Sequence, residues 1–414
     1  MLSLCHNSKS CFLVFVGLFI LLSSWCPHGR TADWSFSPGI NITQEYNSDV
    51  LFSHYDDWED FFTRVEPRFK LIGESEKAKL ELDSKVIGEK YYEYGHFDTV
   101  NTDNTLTLDY AWTPKFSTTL TNTFEKDNIL ETELERAGLA GFRKDRYRYG
   151  FDLTGNYFIS EVFSVGLGGG GTFSYYPDGP YPDLNLWQIH FNPAWAINPR
   201  DSIGLFVNFD YADYEDISTV QTLSQMLYWR RDLTDTTFFV LGAGYRYTWT
   251  KYEFTIYRLG FVDPTLGIIF IPEDKEIREE DDGFIFNFSL NNDWTERFTT
   301  IVDIGREHYN AIDASGIDRN YIRMTLKYRL TEKTSFNCRL AYDVTEEQGR
   351  YGVDRDYVRV APSLRWRCTE DLVFSFHGSY EYRKSDGRNY DYDTDRFRSW
   401  VTLSYWWPRL WANH

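Results

Sequence analysis

The stretch LKYRLTEKTSFNCRLAY, Leu326 to Tyr342, carries two opposed surfaces in strict alternation. Leu326, Tyr328 and Leu330 fall on one side, Lys327 and Arg329 on the other. After four polar residues the pattern resumes, with Phe336, Cys338, Leu340 and Tyr342 on one side and Asn337, Arg339 and Ala341 on the other. A period of two defines a strand, because successive Cβ atoms point to opposite faces, and Thr331-Glu332-Lys333-Thr334 supplies the reversal. The fold turns on which side meets water and what covers the apolar one.

The motif recurs. Short polar reversals lie at Glu74-Ser75-Glu76-Lys77, Thr113-Pro114-Lys115, Ser160-Glu161, Asn198-Pro199-Arg200-Asp201, Thr234-Asp235-Thr236, Thr295-Glu296-Arg297, Thr331-Glu332-Lys333 and Thr369-Glu370-Asp371. Most are spaced by roughly 36 to 39 residues, one hairpin per period. Between them run paired strands joined by longer, often acidic connections near 47–59, 95–104, 125–145, 177–183, 214–222, 252–282, 309–319, 346–356 and 385–394. The reading gives 18 strands, with 16 as the alternative count. Short turns alternating with long loops are the pattern of an all-β, transmembrane, antiparallel up-and-down barrel.

Side-chain faces agree. One carries Leu106, Leu108, Tyr110 and Trp112, then Ile203, Leu205, Val207 and Phe209, then Phe284, Phe286, Phe288 and Leu290. The reverse carries Thr105, Thr107 and Asp109, then Arg148, Asp152 and Asn156, then Asn208 and Asp210, then Ser375, His377 and Glu381. No helical layer is encoded to cover the dry face, so lipid covers it. Aromatics reach 18% of the chain although its mean hydropathy is -0.48, as interfacial girdles around a polar lumen require. The net charge of -19 argues against a nucleic-acid partner.

Residues 1–32 read as a signal peptide: Lys9 precedes the apolar run Cys11 to Cys26, which is too short for a comfortable span. Residues 33–414 form the barrel. Three of the five cysteines lie in the signal; Cys338 and Cys368 sit offset on apolar strand faces, as small lipid- or core-facing residues rather than a disulfide. After the last strand, FRSWVTLSYWW, the tail PRLWANH either tucks into the mouth or brings Trp411 into the assembly signal.

The first hairpin, from SFSPGINITQEYNSDVLF through FFTRVEPRFKL, resembles the type 2 β-barrel porin family of Gram-negative outer membranes. The resemblance lies in Gln44-Glu45-Tyr46 followed by Asn47 and Asp49, the Asp-rich loop, and the strand with central Pro67. It implies an outer-membrane location and, through members found beside exosortase and exopolysaccharide genes, an association with polysaccharide. It supplies no catalytic residues.

The charges of the polar face are the candidate functional surface. Arg323, Lys327, Arg329, Arg339, Arg359, Arg365 and Arg367 form a basic arc on neighbouring strands. Arg64, Arg68, Lys70, Lys77, Lys79 and Lys85, interleaved with Glu66, Glu81, Asp83 and Glu89, form a second. Two readings stand together: cross-strand ion pairs that stiffen the wall, and selection of anionic solutes by guanidinium–carboxylate pairing.

Other motifs are read structurally. GLGGGG, Gly166 to Gly171, lacks the Lys-Ser/Thr of a phosphate loop and marks a bend or a close approach by an inward-folded loop. Two segments are candidates for that loop: Asp127 to Gly141, a short helix capped by Asp127 or Asn128, and the apolar centre of Leu259 to Gly283. Asn389, Asp391, Asp393 and Asp395 read as a solvated acidic loop rather than a calcium site. His190 and His377 lack the spacing of a hydrolase, so neither enzyme nor cofactor is expected. The expected partners are outer-membrane lipid and lipopolysaccharide, the barrel-assembly machinery during biogenesis, and polysaccharide. The sequence thus points to a porin-like passive channel, with a plugged interaction barrel as the alternative and a lipid hydrolase as a weaker one.

Overall fold

The computed structural model describes residues 33–53, 58–128, 144–177, 181–215, 217–263, 267–311, 315–347, 353–387 and 390–407. The expected signal, the helix over 129–141 and the tail beyond Trp407 lie outside these residues.

The strands in chain order are β1 (Asp33–Asn47), β2 (Asp60–Glu74), β3 (Ala78–Tyr91), β4 (Thr99–Thr113), β5 (Phe116–Asn128) and β6 (Asp145–Phe158). There follow β7 (Phe163–Tyr175), β8 (Leu184–Asn198), β9 (Asp201–Tyr214), β10 (Ser218–Asp232), β11 (Thr237–Asp263) and β12 (Gly267–Thr295). The last are β13 (Phe298–Asn310), β14 (Gly316–Arg329), β15 (Thr334–Glu347), β16 (Asp354–Arg367), β17 (Leu372–Gly387) and β18 (Tyr390–Trp406). Each pairs antiparallel with its neighbours in sequence, and β18 pairs with β1 from Trp406 opposite Gly39 to Arg398 opposite Asn47. The sheet is therefore closed, an 18-stranded barrel without a free edge along its wall.

Every expected reversal falls between an even-numbered strand and the next, which defines a short-turn rim; β1 starts there and β18 ends there. The opening stretch shows how the alternation is used. Leu326 lies opposite Cys338 and Tyr328 opposite Phe336, so the apolar rows of β14 and β15 share one face. Cys338 and Cys368 are free thiols.

The outer face is apolar and uncovered: Leu153, Leu167, Ile189, Leu205, Leu227 and Leu241 on successive strands are 36–62% exposed. Exposure on that scale suits hydrocarbon rather than water. Near the short-turn rim, β4, β6, β8, β10, β12, β14 and β16 contribute Trp112, Tyr157, Trp195, Trp229, Trp294, Tyr328 and Trp366, and Trp407 follows the end of β18, a girdle of amphipathic rings. From Trp407 back to the exposed Phe397 is ten residues, about 25 Å of height for strands tilted by roughly 40°. Among the described residues, the clusters of buried hydrophobic side chains are three small ones at the loop rim, around Phe52, Tyr214 and Phe62.

Two expected loops are strands. Over 252–282, β11 and β12 stay paired to their tip, Tyr252 opposite Ile277 and Asp263 opposite Gly267, with a bulge between Leu259 and Phe261. The backbone thus forms a hairpin rather than a loop; beyond Tyr252 it outruns β10, projecting by roughly 35 Å of strand. Over 385–394, Asp391 pairs with Asp386 and Asp393 with Lys384. The acidic residues Asp391, Asp393 and Asp395 are exposed on the outer face of β18, alternating with inward Tyr392, Thr394 and Arg396. Apolar alternation ends where lipid ends, but backbone pairing continues above it.

Candidate functional site

The barrel wall places odd-numbered residues of β14, β15 and β16 inside, and two adjoining cavities collect the first basic arc. The larger, about 1000 Å³ at the short-turn end, is lined by Lys327, Arg329, Arg365 and Arg367, with Arg68 from β2. The smaller, about 410 Å³ and higher in the barrel, is lined by Arg323, Arg339 and Arg359. Asn337, Ser363 and His377 line both.

The cations of this arc are unequally engaged. Arg329 donates to the Glu296 carbonyl at 2.9 Å, Arg323 lies 3.9 Å from Asp343, and Arg359 lies 3.5 Å from Glu381. Among the described residues, Lys327, Arg339, Arg365 and Arg367 have no carboxylate within ion-pair distance, and all four are exposed to the lumen. Such charges keep their field for a solute.

The second arc is a ladder. Arg64 pairs with Glu89 at 2.7 Å, Arg68 with Asp83 at 3.2 Å and with Glu66 at 4.0 Å. Lys70 pairs with Glu81 at 2.5 Å, Lys79 with Glu81 at 3.5 Å and Lys85 with Asp103 at 2.8 Å. Its charges are matched across β2, β3 and β4, so this part of the wall is stiffened more than it is polarised.

Above both arcs runs a belt that sequence reading did not assemble. Glu381 on β17 binds Arg359 of β16, and from β18 Arg396 at 2.6 Å and Arg398 at 3.1 Å. Arg398 reaches Glu45 of β1 at 3.8 Å, Glu45 faces Arg64 of β2 at 3.9 Å, and Arg64 continues to Glu89 of β3. The chain of charges crosses six neighbouring strands and the β18–β1 closure. Glu381 and Arg396 are each 1% exposed, so each needs the other to offset its lost hydration. Glu381 was legible as an inward residue; Arg396 fell between the loop near 385–394 and the last strand, which was read from Phe397.

Among the described residues, the first loop folds inward through Val50 to Phe52; residues 129–141 of one expected candidate lie outside the described residues, and the Leu259 to Gly283 segment is seen as the paired backbone of β11 and β12. Val50 packs with Phe62 and Tyr91, and Phe52 is wholly buried against Tyr357. The guanidiniums of Arg383 and Arg396 stand 4.7 and 4.9 Å from the Phe52 ring, and Arg383 donates to the Phe52 carbonyl at 3.0 Å. The Asp49 carboxylate accepts from the amides of Leu51 and Ser53 at 3.1 and 2.7 Å, shaping the turn. Asp127 and Asn128, the expected caps of a helix that lies outside the described residues, are the last two residues of β5, and Asp127 pairs with Arg146 at 2.6 Å.

The remaining wall differs in sign. Asp152 on β6 stands nine strands from Arg339 on β15, half the circumference, and Asp210 lies on β9. Asp152 accepts from Thr154 and Asp210 from Asn208, and neither has a cationic partner among the described residues. Nearer the loop rim, Tyr214 of β9 donates to the Ala311 carbonyl at 2.8 Å, and Arg246 of β11 reaches Asp318 of β14 at 2.7 Å. These bonds draw non-adjacent strands together and narrow that mouth.

Within the glycine run, side chains of the wall account for Gly168: a methyl group there would collide with His190 and Thr154. His190 lies 3.2 Å from Thr154, and His377 stacks on Trp400; among the described residues neither ring hydrogen-bonds a serine. No group of metal-ligating side chains occurs among the described residues.

Fold and wall together define an outer-membrane-type β-barrel with a charged lumen. No family model and no curated protein matches the chain. Among solved structures it is similar to OccK2 (OpdF) of Pseudomonas aeruginosa in complex with glucuronate, at 11% identity and a TM-score of 0.47, covering 91% of this chain and 98% of that one. It is also similar to opdK from Pseudomonas aeruginosa, at 9% and 0.45, covering 90% and 99%. The ferric-catecholate import receptor Fiu from E. coli matches at 8% and 0.47, covering 89% and 81%. At such scores the barrel is defined by its own strand order and register.

Proposed function

We propose that the chain is a passive channel of the outer membrane that favours negatively charged polar solutes. Its short turns face the periplasm, its loops face outward, and its apolar exterior meets lipid and lipopolysaccharide. The observation that carries this reading is the unbalanced lumen: Lys327, Arg339, Arg365 and Arg367 without carboxylate partners on one wall, Asp152 and Asp210 without cations on the other. A transverse field of this kind orients water and draws anions along the basic wall. The tucked first loop sets the size limit at the outer mouth. Passage of exopolysaccharide is the finer form of the reading, supported by the resemblance of the first hairpin and by the length of the basic wall.

Planar-bilayer recording under a salt gradient tests it. We expect steady current with a reversal potential on the anion-selective side, shifted toward cations by Lys327→Glu with Arg365→Glu. Folded barrel that carries no current would reject the channel and favour a plugged interaction barrel, which the buried Phe52 and the belt below it independently suit.

A further inference from the structure

We propose that the smaller cavity is a binding subsite for one acidic sugar residue, a hexuronate ring. The proposal rests on the channel reading in a single respect, that the cavity lies on the path of the solute. Its volume of about 410 Å³ falls within the range typical of small-molecule pockets, about 300–1,000 Å³.

Two chemistries meet in it. One wall is aromatic: His377 and Trp400 are register partners on β17 and β18, their rings parallel within 4° and 4.9 Å apart between centroids. Both line the cavity. Paired flat rings offer an apolar platform of the kind that packs against the C–H face of a pyranose.

The other wall is cationic. Arg339 has no carboxylate partner among the described residues. Of its neighbours, Arg323 lies 3.9 Å from Asp343, and Arg359 stands on the same wall 3.5 Å from Glu381. A guanidinium carries five donors in a fixed fork, so Arg339, with Arg323 beside it, has capacity for a bidentate carboxylate. Asn337 and Ser363 add an amide and a hydroxyl at the border with the larger cavity, suited to ring hydroxyls. Tyr357 closes the top: it lines the cavity and packs beneath Phe52 of the tucked loop, which limits the space to a single ring.

Neither half alone selects the ligand. A bare anion has no use for the platform, and a neutral sugar leaves the guanidiniums unanswered. A ring bearing a carboxylate uses both.

The test is titration calorimetry on the detergent-solubilised, folded barrel with glucuronate, glucose, acetate and inorganic phosphate, alongside bilayer recording of the same preparation. We expect glucuronate to bind at least about tenfold more tightly than the other three. Arg339→Gln lowers glucuronate affinity about tenfold or more, as loss of a charge-assisted bond does. Trp400→Leu brings glucuronate down to the level of acetate. A heat-modifiable band on gels reports folding of each variant, and His377→Ala probes the platform again should Trp400→Leu not fold. Acetate or phosphate binding as tightly as glucuronate overturns the proposal in favour of a plain anion well; glucose doing so removes the role of the arginines. No glucuronate binding with current intact overturns the subsite and leaves the channel standing. Glucuronate binding that is lost in Arg339→Gln, in a barrel without current, upholds the subsite and overturns the channel.

Discussion

Among the described residues, Phe52 is the one non-glycine residue with a left-handed backbone, at a φ of 47°. For a bulky side chain that conformation costs about 1–3 kcal/mol and persists only when its surroundings enforce it. Here two guanidiniums grip the ring, one of them also binding the carbonyl, and the Asp49 carboxylate holds the amides on either side. Phe52→Gly relieves the backbone and removes the grip. We expect longer open times in single-channel records with barrel stability little changed; unchanged gating would show that the ring does not hold the loop in. Asp49 adds a pH dependence. Burial pushes its carboxyl up, outweighing the amide bonds and the Arg396 charge that pull it down. A tucked loop therefore takes up a proton more readily than a released one, so the tuck strengthens as pH falls through the raised pKa and weakens as pH rises through it. Closed time should grow as pH is lowered from about 7 to about 4, and Asp49→Asn should abolish that response. Neither residue's role was legible beforehand, because a loop has no period to place its side chains, whereas Arg339 was placed by alternation alone.

At the scale of elements, the turns were the legible part. Thr331-Glu332-Lys333 and its counterparts pair small hydroxyl residues with charges, and Thr331 indeed receives the amides of Lys333 and Thr334 at 3.2 and 3.0 Å. Strand length was not legible. A strand standing above the lipid needs no apolar row, so its sequence looks like a loop even while its backbone stays paired, as in the upper halves of β11, β12, β17 and β18. Beyond Glu253, whose amide donates to the Ile217 carbonyl, β11 and β12 pair with each other and with no other strand among the described residues, and the wall should not depend on the projection. Excising residues 254–275 and joining Glu253 to Glu276 through Asn-Gly, which favours a two-residue hairpin, should leave the heat-modifiable barrel and its conductance unaltered. Loss of either would show that the projection folds back on the wall.

At the scale of the molecule, stability and selectivity use the same kinds of residue in different states. Matched charges stiffen the arc from β16 through β18 and β1 to β3, and unmatched ones polarise the lumen beside it. Glu381→Gln leaves Arg359, Arg396 and Arg398 facing one another without their shared counterion. Removing one member of a buried charge network costs about 3–5 kcal/mol, which should appear as a lower urea midpoint for unfolding from lipid vesicles. An unchanged midpoint would mean that lumen water already carries the charges. Strand count, closure and the inward basic rows could be read from alternation and turn spacing. The belt could not, since it joins residues from both ends of the chain.

That last point bears on how the molecule is made. Glu45 is translated among the earliest strand residues and meets Arg398 only when the final strand arrives. Until then, the leading margin holds the Glu45 carboxylate against Arg64 of β2, and its contact across the seam is still to be made. Ring completion therefore also joins the charges across the seam, and a nascent barrel that halts one strand short is marked as unfinished by the side chains at its open margin.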